Sequence, residues 1–437
     1  MRRQVRVGGF FVVLVLAIVA AAPAAVGRET AAREGVGVPR VLGPNLRISG
    51  PDASGYPAGE TAVAVAYNSV TGGYLVVWPD MRSSSRTVYG RLVSASGSPV
   101  GADFLIGSLA FNPAVAFDSI TNQFLVVWAD NWTTSRYDIY GQRVSAAGAL
   151  VGGALRISGA AATYGVGQPA AAFDSTTGEF LVVWRDGRNW GDRGQDIYGQ
   201  RVSAAGTAVG SNFRISGTAA VADDSEPTVA YGSTADEFLV AWEDARDLST
   251  RRHDIYGRRV SGLGVPVGGD FRICGGRAVA FDMSPAAAYD PTTDQFLVVW
   301  EDMRKSGTRG LDIRGRWLSA AGSPVGPDFR ISGRSAVKDD SDPTVAYNSA
   351  ADQLLVAWSD YRDWERGYDI YGQRVSTSDA TVGNNFRISD DAATKDEHHP
   401  AAAYDSATNH YLVVWADLRD TVQWDNGEQI YGQRLAG

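Results

Sequence analysis

Seven copies of one apolar phrase are spaced along this chain. "LVVW", or its variant "LVAW", ends at Trp78, Trp128, Trp184, Trp242, Trp300, Trp358 and Trp415, at intervals of 50, 56, 58, 58, 58 and 57 residues. A second phrase keeps step with it. "DIYGQRVSAAG" opens at Asp138 and again, identically, at Asp196, and looser copies open at Asp254, Asp312, Asp369 and Gln429. Self-similarity at this period means that each copy is one supersecondary unit, stable only when stacked on its neighbours.

Each unit carries four short apolar runs. In the third they are "PAAAFD" (169–174), "EFLVVW" (179–184), "DIYGQRVS" (196–203) and "NFRIS" (212–216), separated by turn-rich stretches such as "DSTTG" and "SAAGTAVG". Runs of this length, β-branched or aromatic and bounded by Gly, Ser, Asp and Pro, read as strands. The links suit an antiparallel meander and are too short for helical crossovers. Every unit is therefore a four-stranded sheet, its strands lettered A to D. Strand B is apolar at every position, so it needs cover on both faces. Strand A is rich in alanine, as expected of the crowded inner strand of a radial arrangement. The reading is an all-β, seven-bladed β-propeller with four antiparallel strands per blade.

The ends of the chain predict how the ring closes. The seventh unit stops after its third strand, at "IYGQRLAG", and the missing D strand stands at the other end as "PNLRIS" (44–49). The N-terminal strand is expected to complete the last blade. The domain reading is a signal peptide at 1–25, a linker at 26–39 and the propeller at 40–437.

The signal peptide is read from Arg2, Arg3 and Arg6, the apolar run "GFFVVLVLAIVAAA" and the small residues that follow, with a cut near Ala24 or Ala25. That run is short for a bilayer span, and no other segment could serve as one. The expectation is a secreted or cell-surface protein with no membrane span once the leader is removed, and a monomer. Its loss takes the formal charge from −9 to −12. So acidic a chain lacks the basic footprint that nucleic acid or anionic lipid would require. Cys274 is the only cysteine and stands in "FRIC" where other units have "FRIS", which reads as a small buried side chain.

With "LVVWxDxR…DIYGQRVS" repeated in this way, the chain resembles the seven-bladed propeller superfamily, and within it exported bacterial repeat proteins. The resemblance covers residues 40–437 and implies the architecture only, because propellers host lectins, hydrolases, lyases and scaffolds. The sequence carries no phosphate-binding glycine loop, His-Glu-x-x-His zinc motif or nucleophile elbow. Sialidase-type propellers carry an aspartate box, Ser-x-Asp-x-Gly-x-x-Trp. The nearest stretch, "DSTTGEFLVVW" (174–184), has different spacings, and no arginine triad can be placed.

Three sets of residues are candidates for function. The repeated Trp-x-Asp-x-Arg (Asp186/Arg188, Asp244/Arg246, Asp302/Arg304, Asp360/Arg362) reads mainly as an exposed ion-pair clasp. In it the Asp that opens strand C (Asp196, Asp254, Asp312, Asp369) reaches the Arg across the hairpin. The second set comes from counting back three residues from each strand A, which gives Glu60, Ala110, Val166, Asp224, Asp282, Asp340 and Glu397. Glu60, Asp224, Asp282, Asp340 and Glu397 then form an unbroken acidic arc at the ring mouth, flanked by Asp223, Glu226, Asp339, Asp342 and Asp396. Such an arc has the oxygen donors that Ca²⁺ takes. The third set is Trp132, Trp190, Tyr361, Trp364 and Trp424 in the B–C loops, with His398 and His399, which suit stacking on a sugar.

The expected function is a secreted, non-enzymatic propeller that binds a glycan or other surface ligand on the D–A and B–C loop face. Two alternatives stand beside it: a glycosidase or lyase using carboxylates of the acidic arc, and a scaffold for protein partners.

Overall fold

The computed structural model describes residues 39–437 apart from 52, 54–61, 84, 133–135, 160–164, 218–221, 247–251, 276–280, 305–306, 308–309, 334–337, 364, 378–380, 391–394 and 420–427. The chain divides into Met1–Gly37 and Val38–Gly437. The expected leader, and the linker up to residue 38, lie outside the described residues. The second unit is a ring of seven four-stranded antiparallel sheets. Strand A of every blade packs against strand A of both neighbours, blade 7 returning to blade 1. The axis is thus lined by the small-residue strand, as the alanines predict.

The double burial of strand B explains its composition. In blade 3, Phe180, Val182 and Trp184 join the core shared with blade 2. Leu181 and Val183 point the other way, into the core shared with blade 4. Alternation along a strand sends successive side chains to opposite faces, so an unbroken apolar run feeds two interfaces at once. The seven LVVW or LVAW tryptophans are all at most 3% exposed.

The ring closes as expected. Leu46–Arg47 pairs antiparallel with Gln429–Ala436, setting Leu46 opposite Gly432 and Arg47 opposite Tyr431. Ile48 is fully buried, and its N–H donates to the Ile430 carbonyl at 2.7 Å. The Ser49 hydroxyl receives the Ile430 N–H, and Arg47 donates to Gln429 at 2.6 Å.

The Trp-x-Asp-x-Arg motif also turns out to be structural, but its wiring differs from the expected hairpin clasp. In blade 4 strand B ends at Asp244, which accepts from the Trp242 indole at 3.2 Å and from the Arg246 backbone N–H at 2.8 Å. The Arg246 guanidinium holds Asp244, lies 3.9 Å over the Tyr256 ring, and reaches Asp270 on strand D at 3.0 Å. Asp254, which opens strand C, is held by Arg272 instead, at 2.9 Å. The Arg therefore ties strand B to strand D, passing over strand C. Nor is the pair exposed: Asp80, Asp186, Asp244, Asp302, Asp360 and Asp417 are at most 1% exposed. Cys274 is buried as expected, its thiol 3.3 Å from the Ile255 N–H where other blades use a serine hydroxyl.

The acids counted back from strand A belong to this same structure. Asp224, Asp282, Asp340 and Glu397 stand directly opposite Asp244, Asp302, Asp360 and Asp417 on strand B. They are 0–5% exposed, so they are folded into the blades and do not line a mouth. Glu60 lies outside the described residues. Burial first, and then the charge of the facing aspartate, pushes Asp224, Asp340 and Glu397 up. The same causes push Asp282 up to about 8. At neutral pH Asp282 keeps its proton, which removes the like-charge repulsion it would otherwise suffer from Asp302.

Two outcomes follow from this construction. Deleting residues 40–49 leaves blade 7 with an open edge and the ring unclosed. The melting temperature should fall sharply, and an unchanged value would show that closure does not depend on this strand. The second concerns pH. A carboxyl whose folded pKa lies above its unfolded value of about 3.9 binds more protons folded than unfolded. It therefore subtracts stability as pH rises towards the folded pKa. Denaturant titrations between pH 4 and 8 should show Asp282→Asn losing less stability with rising pH than the parent. The difference is limited to about 1.4 kcal/mol per pH unit for one proton.

Candidate functional site

The axial mouth is lined by residues two positions beyond the counted acids. Strand A carries a register shift near its start in blades 2 to 7, with one residue in the left-handed region: Asn112, Gln168, Glu226, Ser284, Asp342 and His399, at φ 48–55°. A proline follows each of them. Proline has no N–H to offer the ladder, so a bulge at that point forfeits no strand hydrogen bond. A left-handed non-glycine residue costs on the order of 1–3 kcal/mol, and such strain clusters where side chains are aimed for function.

These side chains meet across blades. The Glu226 backbone N–H donates to the Gln168 side chain at 3.1 Å, joining blade 4 to blade 3. Glu243, just before the clasp aspartate of blade 4, is hydrogen-bonded to His253. Burial and then Glu226 raise it. Arg185 occupies the corresponding place in blade 3, where burial lowers it against the pull of Glu226, Asp223 and Glu243. Glu301 is its counterpart in blade 5 and accepts the backbone N–H of Asp342, from blade 6, at 2.8 Å. Asp342 in turn lies 3.1 Å from Nδ1 of His399 in blade 7. One arc of titratable groups thus runs from blade 3 to blade 7.

Glu301 and Asp342 are neighbours driven in opposite directions. Glu301 is 5% exposed, and burial followed by the Asp342 charge pushes it up to about 8. Burial works against Asp342 as well, but the hydrogen bond and charge of His399, together with the Ser341 hydroxyl, outweigh it and hold the carboxyl below the usual range. Near neutral pH the first carries a proton and the second a charge. Adjacent carboxyls set apart in this way are the marks of an acid and a base.

Aromatic rings border the pair. Tyr368 lies 4.7 Å from Tyr361 and 4.9 Å from His398, ring centre to ring centre. Of the residues expected at a ligand site, Tyr361, His398 and His399 are therefore gathered beside Asp342. Trp190 stands apart, 47% exposed on the short helix Trp190–Arg193 of blade 3. Trp132 ends strand B of blade 2, and its side chain is outside the described residues, as are Trp364 and Trp424. Glu226 and Asp342 were legible as acids flanking the arc. Glu243 and Glu301 were not singled out. Their signal is the variable position of the tryptophan motif, "WED" in blades 4 and 5 where other blades have "WPD", "WAD", "WRD" or "WSD".

Among the described residues, Asp254, Cys274 and Asp282 have ligand atoms within 4.8 Å of one another, the one group that approaches a metal-binding set. No helix among them is long and apolar enough to cross a membrane.

No protein-family model matches the chain. No curated protein matches it in sequence. Solved structures do match its fold. The polysaccharide lyase Uly1 superposes with a TM-score of 0.54 at 10% identity, over 91% of this chain and 100% of the lyase. An α-L-arabinofuranosidase from Fusarium graminearum, bound to an iminosugar inhibitor, gives 0.51 at 13% identity over 78% and 99%. A protein of unknown function from Dyadobacter fermentans gives 0.53 at 10% identity over 75% and 94%. Such identities show the fold. The expectation of a non-enzymatic binding propeller is nevertheless corrected: of these three neighbours, the two whose function is stated are carbohydrate-active enzymes, which favours the enzymatic alternative.

Proposed function

We propose that this propeller cleaves a glycan at its axial mouth by acid–base chemistry, with Glu301 as the acid and Asp342 as the base or nucleophile. The observation that carries the reading is the pair itself, one carboxyl raised to about 8 and its neighbour lowered by His399. In hydrolysis Glu301 delivers its proton to the glycosidic oxygen as the bond to the leaving sugar breaks. In the same step Asp342 either bonds to the anomeric carbon, water deprotonated by Glu301 later cleaving that ester, or takes the proton from a water that attacks directly. Tyr361, Tyr368 and His398 supply ring faces for the sugar. The carbohydrate-active enzymes that share the fold support a glycan as the substrate class. Hydrolysis is preferred to elimination because Asp342, held ionised at the mouth, repels the uronates that a lyase requires. The leader-like N-terminus supports placement outside the cell, where polymeric glycans are met.

The test is a panel of neutral polysaccharides, arabinan among them, assayed for new reducing ends and for the ultraviolet absorbance of an unsaturated product. Glu301→Gln and Asp342→Asn should each lower turnover by roughly 10²–10⁴-fold, the usual contribution of a positioned proton-transfer group. Melting temperature should change little. Activity should decline as pH rises through about 8 and Glu301 loses its proton. Absence of reducing ends from every substrate would end the hydrolytic reading, and unsaturated product would replace it with elimination.

For the acids first counted as Ca²⁺ ligands we propose that arginines and shared protons supply the compensation. Arg246, Arg304, Arg362 and Arg419 each hold the facing aspartate on strand B. A calcium titration should then leave the melting temperature flat, whereas a rise that Asp224→Asn with Asp340→Asn abolishes would restore the metal.

A further inference from the structure

Blade 2 lacks both ends of the clasp that ties strand B to strand D in blades 1, 3, 4 and 5. Where they have an arginine two residues after the buried aspartate, it has Trp132; where blades 1, 4 and 5 have an aspartate on strand D and blade 3 an asparagine, it has Ala154. The surroundings of that missing arginine are nonetheless intact. Asp130 stands on strand B two residues before its end, facing Asp138, and Tyr140 occupies the place of the tyrosine on which the arginine rests in blades 1, 3, 4, 6 and 7. In those blades the guanidinium carbon lies 3.7–4.2 Å over the tyrosine ring.

Removing the arginine leaves polar atoms without partners. Oδ1 of Asp130 is buried and bonded to nothing. Nε1 of Trp128, on a residue 3% exposed, is likewise bonded to nothing. In the six other blades the corresponding indole donates to a buried aspartate. Trp128 lies alongside Tyr140 instead, ring centres 6.3 Å apart and planes 18° from parallel. Burial, then the nearby Asp138, pushes Asp130 up to about 6, as befits a carboxylate without its cation. Asp138 itself is paired with Arg156 at 2.7 Å.

The same corner is open. A cavity of about 440 Å³ is lined by Trp128, Asp130, Tyr140, Ala154 and the 106–108 stretch of blade 1. Strand D of blade 1 ends at Ser108 and strand A of blade 2 begins at Ala110, leaving one residue between them. From blade 3 to blade 4 the chain runs from Arg214 to Asp224. The link between blades 1 and 2 is therefore shorter than that between blades 3 and 4, which accounts for part of the short first interval of the repeat.

We propose that this cavity binds a guanidinium group, laid on the Tyr140 and Trp128 rings and forked onto Asp130, taking the place the chain's own arginine fills in the other blades. A guanidinium suits the site better than a compact ammonium because it is planar, stacks on aromatic faces and offers paired donors to a carboxylate. The cation has two possible sources, a free guanidino compound or an arginine side chain of a peptide. The site lies away from the Glu301–Asp342 pair and does not depend on the catalytic reading.

The experiment is calorimetric titration of the full chain with methylguanidine, the peptide Gly-Arg-Gly, and methylurea as a neutral isostere. Methylguanidine should bind at least tenfold more tightly than methylurea. Binding should weaken at least tenfold in Asp130→Asn and disappear in the double variant Trp132→Arg with Ala154→Asp, which rebuilds the clasp. That double variant should keep or raise the melting temperature. If it does not fold, Tyr140→Leu carries the same test through loss of the stacking ring. Gly-Arg-Gly binding as tightly as methylguanidine assigns the site to arginine side chains, and tenfold weaker binding assigns it to a free guanidino compound. Equal affinity for methylurea, or unchanged methylguanidine binding in Asp130→Asn, would overturn the proposal.

Discussion

Strand B has no face that can be left in water, and the rest of the molecule follows from that. Phe180, Val182 and Trp184 need one neighbouring blade while Leu181 and Val183 need the other, so no blade can stand at the end of a row. Only a closed ring gives every blade two neighbours. Closure in turn creates an axis lined by the A strands and a mouth where residues from five consecutive blades come within hydrogen-bonding distance. Arg185 and His399 are more than two hundred positions apart in the chain, yet they belong to one arc of the same mouth.

Polar groups in this fold divide into two systems with different tasks. The buried aspartates of the tryptophan motif are held by arginines in every blade but the second, and in blades 1, 3, 4 and 5 the arginine ties strand B to strand D. Their repetition is what marks them as structural. The groups at the mouth differ from blade to blade: Arg185, Glu243, Glu301 and Ser359 stand at equivalent positions, as do Gln168, Glu226, Ser284, Asp342 and His399. Chemistry needs unlike groups side by side, and a symmetric scaffold supplies it only where the repeats diverge. Blade 2 shows the same principle elsewhere, since its missing clasp leaves an aspartate, a tyrosine and an indole arranged around a cavity.

The pKa pattern at the mouth has a plain origin. Glu301 sits deep enough to be penalised for ionising, and Asp342 beside it is kept ionised by His399. The two depend on one another, because the Asp342 charge is part of what raises Glu301 and its backbone N–H is what holds Glu301 in place.

Periodicity and burial pattern alone were enough for the blades, the order of their strands and the N-terminal closure. These are set by which residues avoid water and how far apart the chain can place them. Tyr361, His398 and His399 were also legible as candidates, since a loop aromatic and two adjacent histidines stand out from the repeat. The acidic arc was read two residues out of place. Counting from the apolar run assumes a regular strand, and the left-handed residue before each proline shifts the register, so Asp224 and Asp340 turn inward while Glu226 and Asp342 reach the mouth. Which arginine meets which aspartate was beyond the sequence too, because the strand D partner lies more than twenty positions away, across an intervening strand. The sequence by itself determined the ring, through burial; only the tertiary structure decided which carboxyls face one another, because ionisation depends on distances between blades that no single repeat encodes.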